Sequence, residues 1–154
     1  MDTKKRLVKT LVFSVFLYGA ETWTLRSYER SRVDAFEMWC WRRLLRIPWT
    51  AHRTNESILS ELRITTRLST ICIRRILTYF GHVVRRDSDN LEKTMLLGRV
   101  EGSRGRGRTP IRWTDQVKEA TGTAISVAIR MATDRAQWSN FAQNWHPVGH
   151  DPQH

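Results

Sequence analysis

Cysteine is scarce in this sequence, and its two cysteines, Cys40 and Cys72, lie far apart. A disulfide scaffold needs a denser set of cysteines. Neither residue has zinc-ligand spacing to His52 or His82. Both cysteines fall inside apolar helical patterns, where cysteine behaves as a small hydrophobic residue. We therefore expect two buried thiols, with no disulfide framework and no zinc site.

The short motifs that mark common active sites are also missing. The sequence has no adjacent aspartates, no glycine-rich phosphate loop and no Gly-x-Ser-x-Gly elbow. Its five histidines have no recognisable nucleophile or carboxylate partner in sequence. Triads assemble in space, so sequence distance alone leaves such a site open. We expect no catalytic residue, no metal ligand and no resident cofactor.

No apolar run is long enough to span a membrane. Lys4, Lys5, Arg6 and Lys9 precede an apolar stretch over 11–20, which imitates a signal peptide. Tyr18 is bulky where a cleavage site needs a small residue, and the stretch is about half the length of a membrane span. The sequence predicts a nuclear or cytoplasmic protein that is neither secreted nor membrane-bound. A secreted or membrane-associated basic protein remains an alternative, which cleavage after Ala20 would favour.

Acidic residues are few beside the basic ones. The chain has 15 Asp and Glu against 26 Lys and Arg, for a net charge of +11, and 21 of the basic residues are arginine. The excess lies in two blocks, with a net charge of +8 over 42–86 and +4 over 99–113. Tryptophans lie in or beside both blocks. Arginine binds phosphate through a planar fork and stacks on rings and bases. The pattern indicates a surface for a nucleic-acid backbone.

Helical periodicity dominates, so we predict an all-α fold of six or seven helices with a flexible Gly/Arg arm. The candidate helical segments lie near 3–17, 28–46, 55–62, 68–84, 90–97, 126–132 and 134–144, and from Pro110 to Gly122 with Thr109 as N-cap; the shortest of them are only about two turns long. The first helix is apolar nearly all round in its second half, so we expect it to be central. We predict a body over 1–98, an arm over 99–109, an extension over 110–145 and a disordered tail over 146–154.

Three groups of arginines form the predicted nucleic-acid-binding set. One group shares a basic face of the second helix with Trp39, and a second follows the 68–84 helix, where no acidic residue lies at helical spacing to pair with it. The third lies on and beside the arm, which resembles the Arg-Gly-Arg-Pro motif of AT-hooks except that Thr109 separates Arg108 from Pro110. The set comprises Arg42, Arg43, Arg46, Arg67, Arg74, Arg75, Arg85, Arg86, Arg104, Arg106, Arg108 and Arg112.

Several longer strings resemble the C-terminal portion of RTE-type non-LTR retrotransposon endonuclease/reverse transcriptases. They are 18–23 (YGAETW), 34–50 (DAFEMWCWRRLLRIPWT), 79–83 (YFGHV), 91–93 (LEK), 104–108 (RGRGR) and 134–138 (DRAQW). The resemblance covers about residues 3–145 in the expected order, and ordered tryptophan-rich strings of this kind are specific.

The resemblance implies a polymerase thumb with a C-terminal extension, which grips the template–primer backbone and is not catalytic alone. The family's catalytic aspartates, which would hold Mg²⁺, lie upstream of the portion resembled here, as does its endonuclease. Expected partners are RNA, DNA or an RNA–DNA hybrid and the palm of the parent protein. The chain would then be a fragment or a truncated copy. Alternatives are a domesticated minor-groove DNA-binding module, which a preference for A·T-rich duplex would favour, and a non-functional transposon remnant.

Overall fold

The computed structural model describes residues 2–97 and 112–147, apart from the side chains of Trp49, Met95, Leu96 and Leu97. Helices and turns account for the ordered structure of these two ranges, and no strand occurs in them. The all-α prediction is therefore confirmed for the described residues. The predicted arm and most of the predicted tail lie outside them. No helix in the described ranges is long and apolar enough to cross a membrane.

The chain divides into two compact units. The first comprises 1–20 and 25–72, and the second comprises 21–24 and 73–154. The division falls inside one helix, between Cys72 and Ile73. The reason lies in the second unit, where the predicted extension packs on the second half of that helix, as described below.

The first unit begins with a nearly continuous helical segment. It comprises α1 (Asp2–Leu7), a π-helical stretch (Val8–Phe13) and α2 (Ser14–Phe16), and Gly19 follows at a positive φ of 70°. The expectation that this helix is central was wrong. Phe13 and Leu17 are buried, but Leu11 is 62% exposed and Val15 76% exposed. An apolar pattern identifies a face that avoids water, but it does not show whether the same chain covers that face.

Helix α3 (Ser27–Leu44) is the longest element of the first unit. It begins one residue earlier than predicted, with Arg26 as N-cap, and the Arg26 N–H donates to Glu29 Oε2 at 3.0 Å. Arg46 ends it in the left-handed region, where Ile47 N donates to Arg42 O at 3.0 Å. This six-to-one bond is typical of a Schellman ending. The helix therefore stops before Pro48, which was expected to stop it.

Helix α4 (Asn55–Glu61) and helix α5 (Leu68–Val84) follow. Thr54 caps α4, because its side chain accepts from Ser57 N at 3.2 Å. The bounds of α5 agree with the prediction to the residue. Its expected apolar stripe is buried at Leu68, Cys72, Ile76 and Val83, with Tyr79 half-buried at the edge.

The second unit adds α6 (Leu91–Leu97), α7 (Trp113–Thr121), α8 (Ile125–Thr133) and α9 (Arg135–Asn144). Asn90 caps α6, and Gly122 ends α7 at a φ of 64°. The start of α7 was predicted too early. Arg112 has an extended backbone and is the N-cap, so helical geometry begins at Trp113 rather than at Pro110.

Three tryptophans of the second unit donate indole hydrogen bonds to backbone carbonyls of other segments. Trp138 is 1% exposed and its Nε1 donates to Leu77 O at 2.7 Å. Its ring lies against Gly81, where an added Cβ would come within 2.3 Å of Cδ1. Trp113 Nε1 donates to Glu21 O at 3.0 Å, and Trp145 Nε1 to Ala120 O at 2.9 Å. Two of the strings that carry the family resemblance, 79–83 and 134–138, therefore pack on each other through Gly81 and Trp138.

Candidate nucleic-acid interface

Arg67, the first member of the α5 group, is paired inside the first unit. Its Nε donates to Glu37 Oε2 at 2.7 Å, and the side chain of Glu37 is only 2% exposed. Glu37 also accepts from Trp41 Nε1 at 3.2 Å and from Leu68 N at 3.2 Å. Asp34 adds a second carboxylate, 3.7 Å from Arg67. Arg67 and these carboxylates join α3 to the beginning of α5, so the expectation that Arg67 is unpaired was wrong.

Arg74 and Arg85 also have partners, both in the second unit. Arg74 Nε donates to Trp145 O at 3.0 Å, and its Nη2 lies 3.3 Å from His146 Nε2. Arg85 Nη1 donates to Ala132 O at 2.7 Å. A backbone carbonyl orients a guanidinium without neutralising it, so both residues keep their charge. The positive charge of Arg67, by contrast, is offset by the Glu37 carboxylate.

Two further members of the predicted set fasten local structure. Arg42 Nη2 donates to Arg53 O at 2.7 Å and to Asn55 Oδ1 at 3.0 Å, which fixes the loop before α4. Arg86 Nη1 forms an ion pair with Glu92 Oε2 at 3.0 Å. The Glu92 carboxylate lies beside Tyr79, and burial, followed by this charge, raises the pKa of the Tyr79 hydroxyl.

The exposed members of the set among the described residues are Arg43 and Arg46 in the first unit and Arg75, Arg112 and the ion-paired Arg86 in the second. Arg43 lies over the ring of Trp39, with its guanidinium carbon 5.9 Å from the ring centroid. Trp39 is 59% exposed, as the predicted basic face with a tryptophan in its middle requires. Arg104, Arg106 and Arg108 lie outside the described residues, and their role stays a prediction.

Sequence reasoning missed a second aromatic–arginine pair on the same helix. Tyr28 is 68% exposed, and the guanidinium carbon of Arg32 lies 5.8 Å from its ring centroid. We call Tyr28, Arg32, Trp39 and Arg43 the α3 stripe. The signal was present in the sequence, because each arginine follows its aromatic residue by four positions and the two side chains therefore share a helix face.

The remaining metal-ligating and thiol side chains form no further candidate site in the described ranges. No group of three or more His, Cys, Asp or Glu residues there could hold a metal ion. Cys40 and Cys72 are buried, as predicted. Burial raises the pKa of the Cys40 thiol, and the nearby Glu37 carboxylate raises it further. A cleft of about 210 Å³ in the first unit is bordered by Glu37, but that carboxylate already accepts three hydrogen bonds.

The chain is similar to a Caenorhabditis elegans protein described as a putative uncharacterized transposon-derived protein. The two are 29% identical over 142 residues, which cover 86% of this chain and 51% of the worm protein. The chain thus spans about half the length of that relative. No protein-family profile matches the chain, and no solved structure matches it. The similarity supports a transposon origin.

Proposed function

We propose that this protein is a nucleic-acid-binding helical domain of transposon origin that grips the phosphate backbone. The observation that carries the proposal is the exposed basic surface of α3 and of the turn that ends it. Arg32 and Arg43 on the helix and Arg46 in the turn are all open to solvent. Guanidinium groups on a rigid helix suit phosphate contacts, which position a strand without reading its sequence.

The carboxylates of α3 do not compete for this face. Glu37 is buried, and Asp34 accepts from Ser69 N at 3.2 Å as well as facing Arg67. Glu29 accepts from the backbone N–H of Arg26 at the start of the helix. The acidic side chains therefore serve caps and internal pairing, and the basic face keeps its positive charge for an anionic partner.

The finer proposal follows from the resemblance to RTE-type reverse transcriptases. On this proposal the domain is thumb-like, it binds RNA, DNA or an RNA–DNA hybrid beside a polymerase palm, and it has no catalytic activity alone. Support comes from the ordered motif strings and from the similarity to a transposon-derived protein. A primer-extension assay with magnesium tests whether the chain is catalytic alone. We expect no nucleotide incorporation by the purified chain, and incorporation above a mock-purified control would contradict the proposal.

A salt series tests backbone binding. Fluorescence anisotropy with duplex, hybrid and single-stranded probes should give tight binding at low salt and a steep fall as salt rises. Arg43→Gln and Arg46→Gln should each lower the log–log salt slope by roughly 0.7–0.9 if each residue contacts one phosphate. Arg130→Gln is the matched control, because Arg130 is an exposed arginine on α8.

The outcomes separate the candidate functions. Unchanged slopes in Arg43→Gln and Arg46→Gln would contradict binding by the α3 face. A strong preference of the parent for A·T-rich duplex would favour the minor-groove module, in which the arm arginines carry recognition. A chain that shows no binding to any probe at low salt would favour the non-functional remnant.

A further inference from the structure

The α3 stripe repeats one aromatic–arginine unit twice on the same exposed face. Tyr28 is followed one turn later by Arg32, and Trp39 is followed one turn later by Arg43, with guanidinium carbons 5.8 and 5.9 Å from the ring centroids. Residues 28 and 39 are separated by about 16 Å along the axis and roughly 20° around it. The two units thus lie on nearly one line.

The Trp39 ring is supported from the protein side. It stacks on Phe36 with ring centroids 6.4 Å apart and planes 16° apart, and Phe36 in turn stacks on Phe16 at 4.8 Å. Trp39 nevertheless stays 59% exposed. A ring that is held in place loses little freedom when a ligand stacks on it, so the stack preorganises the exposed surface of Trp39.

Exposed aromatic rings interleaved with arginines suit one kind of ligand. An unpaired base offers a flat π face to the ring, and its phosphate can reach the neighbouring guanidinium. A paired base in a duplex does not offer that face, because its neighbours in the stack cover it. A purely electrostatic site for duplex needs no exposed tryptophan.

We propose that the α3 stripe is a single-strand binding site, in which Tyr28 and Trp39 stack on unpaired bases and Arg32 and Arg43 contact the adjoining phosphates. The separation of the two units equals about five stacked nucleotides at a rise of ~3.4 Å. The inference deepens the proposed function and rests on it. It adds that the face prefers single-stranded RNA or DNA over duplex.

The test compares oligo-dT with an abasic oligonucleotide of the same length and phosphate number. Stacking should make the parent bind oligo-dT roughly 5- to 150-fold tighter than the abasic strand. Trp39→Leu should remove most of that ratio while leaving the salt slope unchanged, and Trp39→Phe should restore part of it. Tyr18→Leu is the matched control, since Tyr18 is 87% exposed in the same unit and belongs to no aromatic–arginine pair in the stripe.

The two proposals fail in different ways. Equal affinity of the parent for oligo-dT and for the abasic strand, with a steep salt slope for both, would overturn the stacking site and leave backbone binding intact. Retention of the full ratio by Trp39→Leu would also overturn it. Failure of the parent to bind either probe at low salt would overturn both proposals. Far-ultraviolet circular dichroism confirms that each variant keeps its helices.

Discussion

Arg67, which directly precedes α5, and Arg43 of the α3 stripe belong to the same predicted binding set, but the structure uses them differently. Arg67 is 20% exposed and is bonded to a carboxylate that is 2% exposed. Arg43 is exposed and lies over an exposed tryptophan. The comparison shows that an arginine row on a helical wheel identifies a face, whereas the rest of the fold decides whether that face meets water or other groups.

Energetic scale separates the two groups further. Removing one partner of a buried ion pair leaves the other charge without compensation, at a cost of several kcal/mol. Replacing an exposed arginine changes the free energy of unfolding by no more than about 0.5 kcal/mol in most cases. Arg67, which is paired with a buried carboxylate, should therefore act through stability, and the stripe arginines through binding.

The largest expected effect is the loss of stability in Arg67→Gln. Without the guanidinium, the buried Glu37 carboxylate keeps only its bonds from Trp41 and Leu68 N. We expect the free energy of unfolding in urea to fall by about 3 kcal/mol. Arg43→Gln is the matched control and should stay within about 0.5 kcal/mol of the parent.

The same pair of variants should show the opposite order in binding. Binding is measured under conditions in which both variants are folded. There, Arg43→Gln should have a lower log–log salt slope than the parent, and Arg67→Gln should keep the slope of the parent. If Arg67→Gln proves as stable as the parent and lowers the slope, Arg67 is a phosphate contact and the comparison breaks.

The second expected effect extends the comparison to the far half of α5. Gly81→Ala would place a Cβ 2.3 Å from Trp138 Cδ1 and 2.6 Å from its Nε1, so the buried indole must move and its bond to Leu77 O must weaken. Such overpacking costs about 1–3 kcal/mol.

Thr78→Ala is the control for Gly81→Ala, because Thr78 is exposed on the same helix and alanine favours helix there. Urea denaturation monitored by tryptophan fluorescence measures both variants. A Gly81→Ala variant as stable as the control would mean that Trp138 does not need the close approach, and that the second half of α5 is less constrained than the first.

The sequence predicted α5 to the residue and the other long helices nearly as well, because strong periodicity and clear caps determine them locally. It did not predict the partner of Arg67, because Glu37 lies on another helix. The hydrogen bonds that Glu37 accepts from Arg67 and Leu68 depend on how α3 packs against the beginning of α5. The spacing of residues along a single helix does not contain that information.

The candidate site was also predicted only in part, because sequence spacing places residues on one helix face but does not show what covers that face. Trp39 and Arg43 share a face by helical geometry alone, and their exposure followed from the basic residues around them. Tyr28 and Arg32 have the same spacing, but they stand at the start of the helix, outside the block of highest arginine excess over 42–86. The exposure of Leu11 and Val15 was not predictable, because apolar periodicity does not show what covers a face.

The smallest expected effect shows that pairing without burial contributes little. Asp115 Oδ1 accepts from Lys118 Nζ at 2.8 Å, but both side chains are well exposed, at 38% and 42%. The bond from Lys118, together with that from the Arg112 N–H, lowers the pKa of Asp115 below its usual 3.8.

A lowered pKa stabilises the folded state above the unfolded-state pKa, and this contribution disappears as the pH falls through the folded-state pKa. Asp115→Asn should therefore lose less than about 1 kcal/mol near neutral pH and converge with the parent once the pH falls below the lowered pKa of Asp115. Urea denaturation from pH 2 to pH 7 measures this difference. A loss as large as that of Arg67→Gln would show that exposed pairs matter as much as the buried one, against the distinction drawn here.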